Sequence, residues 1–295
     1  MPSAPMLLPT LSGRNVTVDA FLKNPMRITE QVAKLADHQL IAQHLFHTLG
    51  QPVEGGGVLW ASIQSKDELL AAGDVGPRSP GAEYSELQPV LPEPRLSQVE
   101  DYGATITLTE EDIRRNDLAK LDLATIQLAN SITMKLDRRA FAALDDEMDP
   151  ALNLLAPAGW DTVTLDGASP SPALSRPSAA IGAALRAFEL DELGVVGDTL
   201  ICHPDEAFNL RALYGENLQA MLDSLGLTMV SNPRATAGTA LVVQAGECGV
   251  VAFEQPLTTR VIPNEKNRTV TVQTFCVPAY VPNHPRAARR ITGCQ

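Results

Sequence analysis

The sequence has no run of about 18 apolar residues, so nothing in it reads as a membrane span. Its opening, MPSAPMLLPTLSG, lacks a charged n-region and a proper apolar h-region, and no secretory leader is expected. Cysteine is scarce. Cys202, Cys248, Cys276 and Cys294 are far apart and never form a C-x-x-C pair, which argues against a zinc site and against a disulfide framework. They are expected to be reduced and partly buried, as in a cytoplasm. Positive charge is scarce too. The net charge is -12 and the pI about 4.8. A nucleic-acid reader shows a basic patch or tail. Here the densest basic cluster is Arg286, Arg289 and Arg290, which reads as a solvated surface or a contact between subunits. No P-loop, G-x-S-x-G or G-x-G-x-x-G occurs.

What is present is ordinary in bulk. The 295 residues are 44% hydrophobic, enough for a sizeable core, and the length suits roughly two domains. The most informative stretch runs from Tyr102 to Leu144. Ala104, Ile106 and Leu108 alternate with Thr105, Thr107 and Thr109, which is a strand pattern. Thr109 then suits an N-cap, with Glu110, Glu111 and Asp112 placed where a helix dipole favours negative charge. From Leu118 the apolar positions recur as Leu121, Leu128, Ile132, Leu136, Ala140 and Leu144, with Thr125 and Ala129 between them. The steps of three and four predict one helix over 118–144, about 40 Å long, with a single buried stripe.

Other elements follow the same logic. Residues 1 to about 27 are Pro-rich and read as an extended arm. Ile28 to Phe46 reads as one helix, and Val58 to Ile63 as a strand after Gly55, Gly56 and Gly57. Gln64 to Glu100 is rich in Pro and Gly and poor in core formers. A structureless loop of that length does not suit a compact domain. It reads instead as a two-stranded excursion that leaves the body and returns in the strand 102–108. An isolated hairpin is marginal in water, so a neighbouring subunit is the natural cover. After the acidic stop at 145–150, helices are expected from Pro177 to Phe188, after His203, and from Asn217 to a Gly226 C-cap. Strands are expected at 199–202, 239–243, 249–253, 258–262 and 269–277.

The groups that could carry chemistry each have a plainer reading. His38, His44 and His47 share one expected helix, and His44 and His47 are spaced to share a metal, but a helix face is the simpler account. Cys202-His203 has the residue types of a thiol–base pair, against a strand end followed by a Pro-started helix. Asp145, Asp146, Glu147 and Asp149 could hold a divalent cation, against a helix end facing water. Trp60 and Trp160 read as packing residues. No catalytic, cofactor-binding or metal residue is assigned, and the chain is not read as an enzyme.

The order of these parts resembles the major capsid proteins of tailed double-stranded-DNA bacteriophages, the Hong Kong 97 (HK-97) fold. TEEDIRRNDL (Thr109 to Leu118) and LANSITMKLDRRAFAAL (Leu128 to Leu144) look like that family's spine region, and Arg268 to Gly293 like its closing strands. The resemblance implies an α+β fold divided as follows: an N-terminal arm and helix at 1–50, an extended loop at 51–105, a peripheral domain with the spine helix at 106–150, an axial domain at 151–262, and return strands of the peripheral domain at 263–295. It implies a structural homo-oligomer of hexamers and pentamers that tile an icosahedral shell around double-stranded DNA. No sequence-specific DNA contact, cofactor or membrane is implied. Scaffolding, portal and decoration proteins are the implied partners, with assembly in the host cytoplasm and no fused scaffolding segment expected. An encapsulin-type compartment shell shares the same parts, and an oligomeric enzyme with an unrecognised site is the reading from another class. Some relatives cross-link a loop lysine to a neighbour's asparagine. Lys66, with Asn264, Asn267 and Asn283, supplies the residue types. Asp67 and Glu68 beside Lys66 favour the charged, unreactive ammonium, so no cross-link is expected.

Overall fold

In the computed structural model the described residues are 22, 24–37, 40–62, 75–84, 86–90, 92–115 and 118–295. In chain order the elements are α1 (Pro25–Asp37), α2 (Ala42–Leu45), β1 (Phe46–Thr48), β2 (Gly57–Ala61), β3 (Pro94–Gln98), β4 (Tyr102–Thr109), α3 (Glu110–Arg114) and α4 (Leu118–Glu147). There follow β5 (Asn153–Leu155), α5 (Pro177–Asp191), β6 (Thr199–Cys202), α6 (Pro204–Tyr214), α7 (Leu218–Leu225), β7 (Thr228–Ser231) and β8 (Thr239–Val243). The chain closes with β9 (Gly249–Asn264), β10 (Thr269–Val281) and β11 (Ala288–Thr292).

The spine is the expected helix. α4 has 30 residues, or about 45 Å at ~1.5 Å per residue. Leu121, Thr125, Leu128, Ala129, Ile132, Leu136, Ala140 and Leu144 are all buried along one side. The threonines on this stripe cost little, because Thr125 and Thr133 return their hydroxyls to the carbonyls of Leu121 and Ala129. Upstream, Thr109 caps α3 in a reciprocal box with Asp112, each side chain bonding the other's backbone N–H. Thr109 and Lys120 both donate to the Asp112 carboxylate, and these bonds hold its pKa down to about 2.

Two sheets organise the body. A four-stranded sheet in the order β1-β9-β10-β4 lies against α4 and α1, with Val32, Leu108, Leu128, Ile132 and Val272 in its core. A five-stranded sheet in the order β5-β11-β8-β6-β7 packs on α5, α6 and α7, around Trp160, Ile181, Phe188, Leu200, Leu210 and Ile291. A third core joins them, built from Leu45, Phe46, Phe141, Leu144, Ile201, Val243 and Tyr280. A two-stranded ribbon, β2 with β3, pairs with neither sheet and lies beside β10.

Several expectations change. The helix expected over 28–46 ends at Asp37; Leu45 and Phe46 instead lie in the joining core, and β1 pairs in parallel with β9. The separate strands expected at 249–253 and 258–262 are one strand. Pro256 sits at an irregularity in the β9–β10 register, past the three residues that β1 covers, where no partner needs its missing N–H. The expected divide at residue 262 falls inside β9, which belongs to the four-stranded sheet, while β11 within 263–295 joins the five-stranded one. The excursion is two-stranded as expected, β2 pairing with β3, and the chain returns from it in β4, which lies along β10.

Candidate functional site: an assembly surface

The ribbon has two unlike faces. Leu59 is directly opposite Leu96, and both are exposed, at 72% and 61%. On the other face Trp60 donates its indole N–H to Ser97 Oγ at 2.8 Å, and Arg95 forms an ion pair with Glu147 at the end of α4. One face is thus tied to the chain's own spine, and the other offers apolar side chains to solvent. Beyond the ribbon, Val75, Tyr84, Leu87 and Val90 are exposed as well. Arg78 stacks over Tyr84 at 4.7 Å and donates to Ala82 O, folding the turn at Pro80–Gly81 on itself. A two-stranded ribbon with so little core is not stable alone.

α4 presents a second uncharged surface. Between residues 123 and 134 its outward positions are Leu123, Ile126, Gln127, Asn130, Ser131 and Met134, none of them charged. Leu123, Ile126 and Met134 are exposed. A solvent-facing helix surface is normally charged. Charge returns only with Lys135 and Arg138.

The groups that could have carried chemistry are scattered or already engaged. His38 and Lys66 lie outside the described residues. His44 is in α2 and His47 in β1, where its Nδ1 hydrogen-bonds Gly246 O at 2.8 Å. His203 Nδ1 accepts from the Asp205 N–H as the cap of α6, so its lone pair is used structurally. Burial pushes the neighbouring Cys202 thiol up to about 12, and does the same to Cys248, Cys276 and Cys294. The acidic run is split among partners: Asp145 pairs with Arg290, Glu147 with Arg95, and Asp149 caps Ala151 N–H. Among the described residues no group of three His, Cys, Asp or Glu side chains could hold a metal ion. Trp160 is buried in the core, whereas Trp60 belongs to the ribbon.

A cavity of about 240 Å³ lies between α2, α4 and the four-stranded sheet, lined by Leu40, Phe46, Leu136, Phe253 and Tyr280 among others. It has no carboxylate or imidazole in its lining, and the Tyr280 hydroxyl is committed to Leu136 O at 3.2 Å.

The model of a family described as phage capsid protein matches residues 92–291, about two thirds of the chain. This chain belongs to the phage capsid protein family. It is a structural capsid shell protein of the virion, and its fold is the Hong Kong 97 fold. Solved structures agree with that fold. A chain of Mycobacterium phage Adephagia aligns with a TM-score of 0.60 at 13% identity, over 86% of this chain and 89% of that one. The capsid of Myoviridae phage XM1 aligns with a TM-score of 0.56 at 11% identity, over 86% and 91%. A virus-like particle from Pyrococcus furiosus aligns with a TM-score of 0.59 at 11% identity, over 89% and 98%. No curated protein matches the chain by sequence.

Two features of this capsid protein were not legible as sites. Asp137, on α4, is fully buried. Its Oδ1 accepts the backbone N–H of Ile41 and Ala42 at 3.0 and 3.1 Å, and its Oδ2 accepts from Arg234 at 2.9 Å and from Asn232 at 3.4 Å. One carboxylate therefore ties the N-terminal segment, the spine and the loop between β7 and β8 together. The three arginines read as a solvated surface or a contact between subunits are largely buried within the subunit. Arg286 and Arg289 converge on Asp191, Arg289 stacks on the Phe188 ring at 4.6 Å, and Arg290 pairs with Asp145. Each guanidinium enters the interior with a carboxylate partner, as a buried charge requires.

Proposed function

We propose that this capsid protein assembles as hexamers and pentamers into an icosahedral shell that encloses double-stranded DNA, and that it has no catalytic activity. The observation that carries the reading is the ribbon with Leu59 and Leu96 exposed on a face its own subunit does not cover. A second copy supplies the missing cover, and the uncharged outward strip of α4 from Leu123 to Met134 is the surface of matching chemistry. In this reading the four-stranded sheet with α1 and the spine forms a peripheral domain, and the five-stranded sheet with α5, α6 and α7 an axial domain. The net charge of -12 keeps the shell's lining from holding DNA tightly. A separate scaffolding protein, a portal and a decoration protein are the fitting partners, and the host cytoplasm the fitting place of assembly.

A compartment shell around protein cargo is the second reading, favoured by the likeness to the virus-like particle. Particle contents separate the two: nuclease-resistant DNA in particles from infected cells supports the capsid, and a protein cargo in place of DNA supports the compartment. The shell reading itself is tested by light scattering on protein expressed with and without a scaffolding partner. Large closed particles are expected, and a stable monomer under all such conditions contradicts it.

A further inference from the structure

A sheet edge is an open row of backbone N–H and C=O groups, and folded chains guard theirs with short strands, charges or prolines. Most edges of this subunit are guarded. β1, β5 and β7 have three, three and four residues. Past β1, the free side of β9 carries Glu254, Pro256, Arg260 and Pro263. β3 carries Pro94 and Arg95. Among the described residues this leaves β2, with the sequence GVLWA, and β4, with YGATITLT, as edges that have neither a charge nor a proline.

Hydrogen bonding shows which groups of these edges are free. Glu100 N–H donates to Pro278 O and Glu110 N–H to Arg268 O, both at 3.0 Å. An antiparallel ladder bonds alternate residues, so Tyr102, Ala104, Ile106 and Leu108 face β10. Gly103, Thr105 and Thr107 turn their N–H and C=O groups the other way, where no strand among the described residues pairs with them. Next in that series, Thr109 N–H goes to the Asp112 carboxylate at 3.2 Å. On the ribbon, Val99 N–H donates to Gly56 O at 3.2 Å, so Gly57, Leu59 and Ala61 likewise point away from β3. α4 lies on the face of Ala104 and Ile106, which stay half-buried, and Lys135 Nζ sits 5.6 Å from the Tyr102 ring centroid. Ser131 and Gln127, about one and two turns before Lys135, bring the uncharged strip of α4 to that flank.

We propose that β2 of one copy pairs with the open edge of β4 in the next, extending the four-stranded sheet across the subunit boundary. Within one subunit the two edges cannot meet. β2 is held to β3, which runs on into β4, and the chain turns away before β2 at Gly55 and Gly56, both with positive φ. A second copy brings three outward residues of β2 to three of β4, and main-chain bonds of this kind join the strands without a particular side-chain match. The strands run parallel in this arrangement. Each residue of a parallel pair bonds the two that flank its opposite number, so Leu59 falls on the Ala104 and Ile106 face, beside the uncharged strip of α4. An antiparallel pairing would turn Leu59 to the other face. Joining two different edges is a head-to-tail contact, the kind that closes into rings. The pairing rests on the reading that a second copy covers the ribbon, and names the edge that receives it.

The test is amide hydrogen exchange on the wild-type chain, free and in purified particles. The amides of Gly103, Thr105 and Thr107 on β4, and of Gly57, Leu59 and Ala61 on β2, are expected to exchange at least about tenfold more slowly in particles. Those of Ala104 and Ile106, already bonded to β10, should change little. Protection of the six amides in the free subunit, or particles in which they exchange as fast as in the free subunit, overturns the pairing. The second result leaves the shell reading standing, whereas a chain that forms no particles contradicts both. Thr105→Pro adds an independent arm. It removes a donor that points away from β10, so the subunit keeps its own ladder. Its Tm is expected within about 4 °C of the wild type, and its particle yield to fall at least about tenfold. A folded variant that forms particles at wild-type yield overturns the pairing as well.

Discussion

Asp137 joins three parts of the chain that are nearly a hundred residues apart. Its neighbours in sequence sit in a run of good helix formers, and a single acidic residue there reads as a solvated position. What makes it central is the arrival of Ile41, Ala42, Asn232 and Arg234 from elsewhere, and nothing local announces them. The same contact explains why the helix expected over 28–46 is broken: the carboxylate of Asp137 takes the backbone N–H groups that start α2. Asp137→Ala would leave the Arg234 charge and two backbone donors without an acceptor. The expected loss is about 3 kcal/mol or more, read as a lower midpoint in urea unfolding. Asp137→Asn keeps an oxygen for the backbone donors but not the charge, and should fall between the two. The arginines at 286, 289 and 290 carry the same lesson, since a basic cluster reads as surface until its partners, Asp191 and Asp145, are known.

Elements were more legible where their pattern is periodic. The stripe of α4 and the caps at Thr109 and Gly226 depend on local spacing, and the structure has them where the spacing puts them. Ile132 is 4% exposed on that stripe. Ile132→Asp would bury a carboxylate with no partner and cost several kcal/mol, on the order of 3 or more, and insoluble or unassembled protein is expected on expression. The strand β9 was less legible because Pro256 reads as a break, and only the open edge beside it makes the proline tolerable. The ribbon's pairing was hidden for another reason: β2 and β3 are 33 residues apart between Ala61 and Pro94, and neither carries a long alternating pattern. Its exposed leucines add little to the subunit's own core. Leu59→Ser with Leu96→Ser should leave thermal unfolding of the isolated subunit within about 0.5 kcal/mol of the wild type and suppress particle formation, as seen by sedimentation. Particles at wild-type yield would show that this face is not an interface.

At the scale of the whole molecule, the order of excursion, spine and mixed sheets was readable, the expected arm lies almost wholly outside the described residues, and the path between the sheets was not readable. The chain leaves the four-stranded sheet through the end of the spine, builds most of the five-stranded one, returns in β9 and β10, and crosses again for β11. Hydrophobic periodicity marks strands but does not say which sheet receives them, so the boundary drawn at residue 262 could not have found these crossings. The whole-molecule account also bears on how a shell is held. The cysteine thiols are buried and their pKa values pushed up to about 12, far from the thiolate form that disulfide exchange needs. Asn264 and Asn267 lie at the β9–β10 hairpin tip and Asn283 in the link from β10 to β11. With Lys66 read as a charged ammonium, particles boiled in detergent without reductant should run as one band near the 31.6 kDa monomer. A ladder that disappears in Lys66→Ala would show a covalent link between subunits. The central claim is that this chain builds a closed shell by covering its ribbon with a neighbour. Electron cryomicroscopy of the purified particles tests it most directly. The account predicts closed icosahedral shells in which the Leu59 and Leu96 face of each ribbon is buried against the adjacent subunit. Discrete small oligomers, or shells in which that face remains open to solvent, would contradict it.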